Sequence, residues 1–360
     1  ALALAPSGKR ASGKGARRTR TTLHFRAFPR NCAAMDRTAD VIVVGSYVQD
    51  HAWLTDRFPE VGETRRALGF NTGPGGKGFN QAVACLRQGV ATLFIGAIGD
   101  DHLGAIARRF GEDEGLPCRW LVVADAPTAA SSIVVDQTGA NLLVVNLAAN
   151  ERLDPAFVEA QADAFDGAKI LVLQLENNLD AIATALAIGK RFGLLRLLNP
   201  APVHPELDAQ LLGECDLVTP NETEFALLLE RIAGERVAAA TLVERPNSEL
   251  HALARTLGVP TVIVTLGAEG CFVSHDERSD KRGDAKSFYR VRAEKVNAVD
   301  STGAGDAFSG ALAAAMLRFR DKPFLDAVMH ANRVAAISTE TVGTAPAMPT
   351  FGAVARRFAR

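Results

Sequence analysis

The chain lacks three things that would have set its class at once. It has no apolar run approaching the roughly 20 residues needed to cross a bilayer, no excess of charge, and no cysteine pairing pattern. Lysine and arginine number 40 against 41 aspartates and glutamates, a net charge of -1. That removes any global electrostatic pull toward nucleic acid or a membrane surface. Cys32, Cys85, Cys118, Cys215 and Cys271 are odd in number and show no C-x-x-C spacing. A disulfide framework and a zinc site are therefore excluded as organising principles, and a reducing compartment, the cytoplasm, is expected. His51, His102 and His330 have no metal spacing and read as structural or surface residues. No internal repeat is visible. The apolar content of 48% and charged content of 22% are those of an ordinary globular protein. A length of 360 residues allows two domains or one large α/β domain.

Acidic residues are also missing from positions 1–34, which carry Lys9, Arg10, Lys14, Arg17, Arg18, Arg20, Arg26 and Arg30. An Arg-rich, acid-free leader has the composition of a transit peptide. Because Met35 comes just before the first strand-like run, residues 1–35 are expected to be a disordered or non-native basic leader. Within it, Gly8 to Lys14 spells G-x-x-x-x-G-K, but Gly15 replaces the Ser or Thr that would hold Mg²⁺. As a phosphate loop it is a decoy.

What is present is strand–helix alternation. Short apolar runs at Val41–Val44, Thr92–Gly96, Trp120–Val123, Ile170–Leu175, Leu194–Asn199, Asp216–Thr219, Val262–Leu266 and Cys271–Ser274 read as strands. Helical periodicity fills Asp180–Arg191 and Glu222–Ile232. Units of this size predict a mainly parallel sheet with helices on both faces. Residues 50–72 and the paired strands Ser131–Val135 and Asn141–Val145 fall outside the alternation, and 233–250 and 275–287 read as exposed loops. Function in such sheets gathers at strand carboxyl ends, where Glu176, Asn199, Asn221, Gly267 and Asp300 fall.

The stretch with the most chemistry is Val299–Met316. A strand-like approach from Val291 leads to Gly303-Ala304-Gly305, and an Ala-rich helix follows with Phe308, Leu312 and Met316 on one apolar face. Glycines opening a helix let backbone amides close around an anion. Asp306, in the first turn, would then stand beside a phosphoryl group, able to accept a proton from an attacking hydroxyl. The structural alternative is an Asp serving as a helix N-cap. A second glycine cluster, Gly73 to Asn80, matches G-x-G-x-x-G at Gly73, Gly75 and Gly78. A dinucleotide fold, and with it an NAD-dependent oxidoreductase, would require a strand immediately before Gly73, and none is predicted. Lys77 is read as balanced between a site role and ordinary solvation. Glu176 is read as a buried acceptor in a site in preference to a solvated helix cap. Asn221 and Glu224 form a capping-box pair, which is compatible with a metal role.

Four segments taken together, Gly75-Gly-Lys-Gly-Phe-Asn-Gln-Ala-Val83, Thr219-Pro-Asn-Glu-Thr-Glu224, Thr265-Leu-Gly-Ala-Glu-Gly270 and Val299-Asp-Ser-Thr-Gly-Ala-Gly-Asp-Ala-Phe308, resemble in order and spacing the signatures of the ribokinase family of PfkB-type carbohydrate and nucleoside kinases. The resemblance covers about residues 40–350. It implies a ribokinase-like three-layer α/β/α fold with a central, mostly parallel sheet, in a kinase domain of residues 36–357. A small β-sheet lid would come from about 48–74 and 128–146, and in the family such a lid forms homodimer contacts. The implied activity is ATP-dependent transfer of the γ-phosphate to the terminal hydroxymethyl of a sugar, with ribose giving ribose 5-phosphate as the first expectation. A ketohexose (fructokinase-like) or nucleoside kinase and a catalytically silent sugar or nucleotide binder are the alternatives. Neither nucleic acid nor membrane is an expected partner.

The resemblance also implies roles. Asp306 would be the general base, and Gly303, Ala304 and Gly305 would supply anion-hole amides. Asp50, Gly76, Lys77, Asn80 and Glu176 would contact the sugar. Thr265, Gly267, Gly270, Gly305 and Asn221 would border ATP, with Asn332 near adenine. Asn221 and Glu224 would support Mg²⁺ through water. Asp300 and the carbonyls of Thr302, Ser338, Thr341 and Gly343 would hold K⁺. Two residues depart from the family pattern. Val48 stands where an Asn is usual, which removes one sugar contact, and Ala347 replaces a hydroxyl residue near the cation site.

Overall fold

Val41-Ile-Val-Val44 offers water no polar face, and the fold covers both of its sides. The structure is a computed structural model that describes residues 39–138, 140–277 and 281–359, so the basic leader lies outside the described residues. In it this run is strand β1 (Val41–Val44), an interior strand, third from one edge of a nine-stranded sheet. Val41 and Val43 pack with Phe79, Phe308 and Leu312, whereas Ile42 and Val44 pack with Ile182, Leu186 and Phe225 on the opposite face. A strand buried on both faces requires such an uninterrupted apolar run.

Along the chain follow β2 (Val48–Leu54), β3 (Gly69–Gly75), α1 (Lys77–Arg87), β4 (Thr92–Gly99), α2 (His102–Glu114), β5 (Cys118–Val123), β6 (Ala130–Val135) and β7 (Asn141–Asn146). Next come α3 (Pro155–Glu159), β8 (Ile170–Leu173), α4 (Leu179–Arg191), β9 (Leu195–Leu198), α5 (Ala209–Gly213), β10 (Leu217–Val218), α6 (Glu222–Leu228) and α7 (Asn247–Thr256). The last part holds β11 (Thr261–Thr265), β12 (Cys271–His275), β13 (Phe288–Val291), α8 (Ala304–Arg318), α9 (Phe324–Ser338) and α10 (Phe351–Arg357). The large sheet has the order β13-β12-β11-β10-β9-β8-β1-β4-β5. It is parallel from β5 to β11, and β12 pairs antiparallel with both β11 and β13. Helices on both faces make the expected three-layer α/β/α arrangement. Strands β3-β2-β6-β7 form a separate four-stranded sheet.

Three local expectations are corrected. The approach to Val299 is not a strand, because β13 ends at Val291, opposite Cys271, where β12 begins. Beyond that pair there is no partner strand, and residues 292–298 run without regular structure. A strand does lead into Gly73: β3 runs from Gly69 to Gly75. It was missed because Gly69-Phe-Asn-Thr-Gly-Pro-Gly75 holds three glycines and a proline and shows no apolar alternation. It is an edge strand of the small sheet, paired antiparallel with β2, which is where Pro74 is tolerated. It is therefore not the central parallel strand of a dinucleotide fold. The expected loop 233–250 already contains the start of α7, which follows Pro246.

Helix α8 is enclosed more fully than its single apolar stripe predicts. Every residue from Asp306 to Ala315 is buried, because α1 lies on one side of it and α9 on another. That leaves room for little besides alanine and glycine. His330 is structural: it is buried, and its Nε2 lies 2.9 Å from Gln88 Oε1. Among the described residues, no helix is long and apolar enough to cross a membrane.

Candidate active site

Gly303 begins α8 in the left-handed region (φ 78°) and offers no capping side chain. Asp306 is thereby released from cap duty. It is buried, and it points at α1, where its Oδ2 accepts from Asn80 Nδ2 at 2.9 Å and its Oδ1 from Gln81 Nε2 at 3.0 Å. Lys77, Asn221, Glu224, Gly303 and Gly305 line a cavity of about 130 Å³ with it. Of the three amides expected in the anion hole, that of Ala304 turns back to the Ser301 carbonyl at 3.2 Å. Gly303 and Gly305 face the cavity, and Gly305 is exposed with nothing within 4 Å of where a Cβ would stand.

Lys77 is half-buried on the cavity wall, which the solvated alternative did not anticipate. Burial alone would push its ammonium down, but Asp306, Glu176, Glu224 and Asp50 together hold it above its ordinary value. Glu176 is not a solvated cap. Its Oε2 accepts from Ser46 Oγ at 2.5 Å and from the Lys77 amide at 3.0 Å, fastening the turn at Gly76 to the end of β8. That turn demands glycine: Gly76 has φ 89°, and a Cβ there would lie 2.5 Å from the Val48 nitrogen.

Asp50 lines a different cavity from Asp306, between the small sheet and the loop at Asp300. Its carboxylate accepts from Ser131 Oγ at 2.6 Å and from Thr344 Oγ1 at 3.1 Å. Burial pushes its pKa up; the two hydroxyls pull it back, and Glu176 and Asp306 add to the rise. Asp306 lines the smaller cavity with Lys77, and Asp50 lines the one between the small sheet and the Asp300 loop.

Asn221 and Glu224 form the expected capping box on α6, with reciprocal bonds of 2.8 and 2.9 Å. Burial raises the Glu224 pKa, and Asp306 and Glu222 add to it against the Asn221 amide and Lys77. Thr265 bridges to Asn221 and lines the same cavity. Gly267 and Gly270 follow with positive φ, and a Cβ on Gly270 would stand 2.0 Å from the Val291 carbonyl. Asn332 donates to that carbonyl and to the Arg292 carbonyl, at 3.4 and 3.2 Å. Gly270 and Asn332 thus meet at Val291, beyond the cavity lining.

At the other end of the glycine turn, Asp300 clamps two loops. Its Oδ1 accepts from the Thr302 amide at 2.9 Å and its Oδ2 from the Gly343 amide at 3.0 Å. The amides of Val299 and Asp300 both reach the Thr339 carbonyl. The loop carrying Thr302 is therefore tied to the one carrying Ser338, Thr341 and Gly343. Ala347 is buried and brings no oxygen of its own side chain. Among the described residues, no group of three or more His, Cys, Asp or Glu side chains is arranged to hold a metal ion.

Sequence reasoning missed the supports behind Asp306. Gln81 donates to both Asp306 and Asn199, and its own carbonyl accepts from Gln174 at 2.7 Å. Asn199 donates to the Thr219 carbonyl, and Thr219 meets Ser309 of α8. The available clue was a glutamine between Phe79 and Val83, on a helix face whose neighbours are apolar, where an amide must find partners. Asn80 Oδ1 is buried without a partner, an open acceptor directly beside Asp306.

A profile of the pfkB family carbohydrate kinase matches residues 38–351. The chain belongs to the pfkB family of carbohydrate kinases. The kinase is 34% identical over 309 residues to a ribokinase of Haemophilus influenzae, covering 86% of this chain and 94% of the relative. It is 33% identical over 280 residues to a deoxyribokinase of Salmonella typhi, covering 76% and 84%. The structure of Arabidopsis thaliana ribokinase complexed with ribose and ATP superimposes with a TM-score of 0.76 at 26% identity, covering 90% of this chain and all of that one. The enzyme is a phosphotransferase with a carbohydrate hydroxyl as acceptor.

Proposed function

We propose that this kinase transfers the γ-phosphoryl group of ATP to the terminal hydroxymethyl of ribose, giving ribose 5-phosphate and ADP. The observation that carries the reading is the placement of Asp306, whose carboxylate is fixed by Asn80 and Gln81 in the cavity that Gly303, Gly305 and Lys77 share. Asp306 removes the hydroxyl proton as the sugar oxygen forms its bond to Pγ. The bond from Pγ to the bridging oxygen breaks, and the electron pair leaves with ADP. Lys77 and the amides at Gly303 and Gly305 face the transferring group, where fixed donors count most. Asp50, Gly76, Asn80 and Glu176 hold the sugar, and the unpaired Asn80 oxygen suits a sugar hydroxyl as donor. Thr265, Gly267, Gly270, Asn221 and Asn332 border the nucleotide.

The donor set fits a divalent cation at Glu224 and Asn221, since a carboxylate raised by burial beside Asp306 is an excess negative charge that a cation relieves. Mg²⁺ there would neutralise phosphate charge. The tied loops at Asp300 and Gly343 fit K⁺, with a weaker dependence because Ala347 lacks a hydroxyl. Homodimerisation through the small sheet is supported by exposed Leu142, Leu143 and Val144, which lie on both faces of β7. Buried thiols at Cys85, Cys215 and Cys271, each pushed up to about 12, fit a reducing cytoplasm.

A second reading has its own observation. Val48 is buried on β2, two residues before Asp50, at the position where the family resemblance implies an Asn in contact with the sugar. A site short of one hydrogen bond discriminates less against a sugar with one hydroxyl fewer, which favours 2-deoxyribose. A coupled ADP assay with ribose, 2-deoxyribose, fructose and nucleosides, with and without K⁺, decides between them. Ribose is expected to show the highest kcat/KM. A nucleoside preference, or ADP release unaffected by any sugar, would refute the proposal.

Glu224 gives a stability prediction of definite sign. Its folded pKa is raised above the unfolded value of about 4.3, so the stability it contributes is full below that pH and is lost as pH rises through the folded pKa. Glu224→Gln keeps the capping geometry and removes the buried charge. The variant is expected to melt a few degrees higher than wild type at pH 7 to 8, with the gap closing toward pH 4. Thermal melts across that range check it, and a lower Tm at neutral pH would contradict it.

A further inference from the structure

Thr344 follows α9, is 7% exposed, and touches three parts of the site at once. Its hydroxyl lies 3.1 Å from Asp50 Oδ2 and 3.1 Å from the Pro74 carbonyl, so it reaches both β2 and β3 of the small sheet. Its carbon side faces the start of α8: a Cβ placed on Gly303 would stand 3.4 Å from both Cβ and Cγ2 of Thr344. One residue earlier, the Gly343 amide is held by Asp300. Thr344 therefore sits in a corner that is pinned from behind and shared by the sheet and the glycine turn.

The geometry around Asp50 is tight. A Cβ on Gly75 would come within 2.0 Å of Asp50 Oδ2 and 2.9 Å of Thr344 Oγ1, so the carboxylate fills a slot with glycine as its floor. Ser131 holds the other oxygen. A threonine hydroxyl has one proton to give, and two acceptors compete for it here. The ionised carboxylate is the stronger of the two. When a sugar hydroxyl donates to that oxygen, the Thr344 proton can turn to Pro74 without leaving either group bare.

We propose that Thr344 is a positioning residue that keeps the Asp50 carboxylate and strand β3 in register with the phosphate cradle at Gly303. The inference rests on the kinase reading, in which Asp50 meets the sugar and Gly303 the phosphate. Its effect is selective, because the hydroxyl bonds only to the sugar side and to the sheet, and the nucleotide wall at Thr265 and Gly270 is built by other elements.

Two substitutions separate hydroxyl from shape. Thr344→Val keeps the branched side chain and loses the donor; Thr344→Ser keeps the donor and loses the methyl group. The valine variant is expected to raise the KM for the sugar about tenfold, as loss of a bond to a charged group does, with the KM for ATP within about twofold of wild type. The serine variant is expected to restore the sugar KM. Hydrogen exchange of the sugar-free protein gives an independent readout: amides at 48–54 and 69–75 exchange several-fold faster in Thr344→Val than in wild type or Thr344→Ser.

A valine variant with wild-type sugar KM and wild-type exchange overturns the proposal. So does an equal rise in both KM values in both variants, which is general loosening. Exchange needs no turnover, so it decides the role of Thr344 by itself, whereas a wild-type enzyme inactive on every sugar would sink the kinase reading alone.

Discussion

Asp306→Asn lowers kcat by about 10²–10⁴-fold, the contribution typical of a positioned general base, and leaves the fold and the KM for ATP nearly unchanged. The second half of this expectation comes from the hydrogen-bond inventory. Asp306 accepts from Asn80 and from Gln81. Gln81 cannot turn over, because its amide nitrogen also serves Asn199 and its oxygen takes a proton from Gln174. The amide introduced by the substitution must therefore present its oxygen to Gln81 and its NH₂ to Asn80. Asn80 can accommodate that, since its Oδ1 is a buried acceptor without a partner and a flip of the amide points it at the new donor. Both contacts of residue 306 are thereby restored, the flipped Asn80 amide turns its NH₂ to the side its oxygen had faced, and the proton acceptor is gone. A fall of kcat and kcat/KM together, with Tm within a few degrees of wild type, is the signature of an interaction made only in the transition state. Unchanged turnover would remove Asp306 as the base, and a collapse of Tm would mean that its charge holds the fold.

The parts of this molecule that were legible in the sequence are those whose cause is local. Val41 to Val44 reads as a doubly buried strand because burial on two faces leaves no place for a polar residue. Glycine at 76 and 303 reads as a turn because positive φ excludes most side chains. Edge elements were less legible. Strand β3 carries no hydrophobic pattern because it belongs to a small sheet whose faces are largely open, and β13 stops where its partner begins, which Arg292 to Ala298 do not announce. Least legible were the long-range supports. Nothing near Gln81 in sequence points to Asp306, which is 225 positions away, nor does anything near Thr344 point to Asp50, 294 positions distant. Such pairs exist only because α1 and the segment after α9 converge on one corner, and a single sequence records convergence only as a polar residue out of place.

The close approach between α1 and α8 supplies the second large effect, and two glycines on α8 test it with opposite signs. At Gly310 a Cβ would stand 2.2 Å from the Gln81 carbonyl oxygen and 2.8 Å from Ala84 Cβ. The first of those is backbone, so Gly310→Ala must push the helices apart, at a cost of about 1–3 kcal/mol for overpacking. The displaced residue is Gln81, whose side chain holds Asp306 one helical turn away, so kcat/KM is expected to fall along with Tm. At Gly305 the protein leaves open space. Gly305→Ala, inside the first turn of α8, is expected to gain about 0.5–1 kcal/mol from reduced chain entropy, yet to lose activity, because the added methyl group occupies the approach to the amides. Thermal melts and steady-state kinetics on the two variants separate the causes. If Gly305→Ala is both more stable and fully active, the glycine turn does not cradle a phosphate. If Gly310→Ala is tolerated in stability and rate alike, the spacing of α1 and α8 is not what holds Asp306 in place.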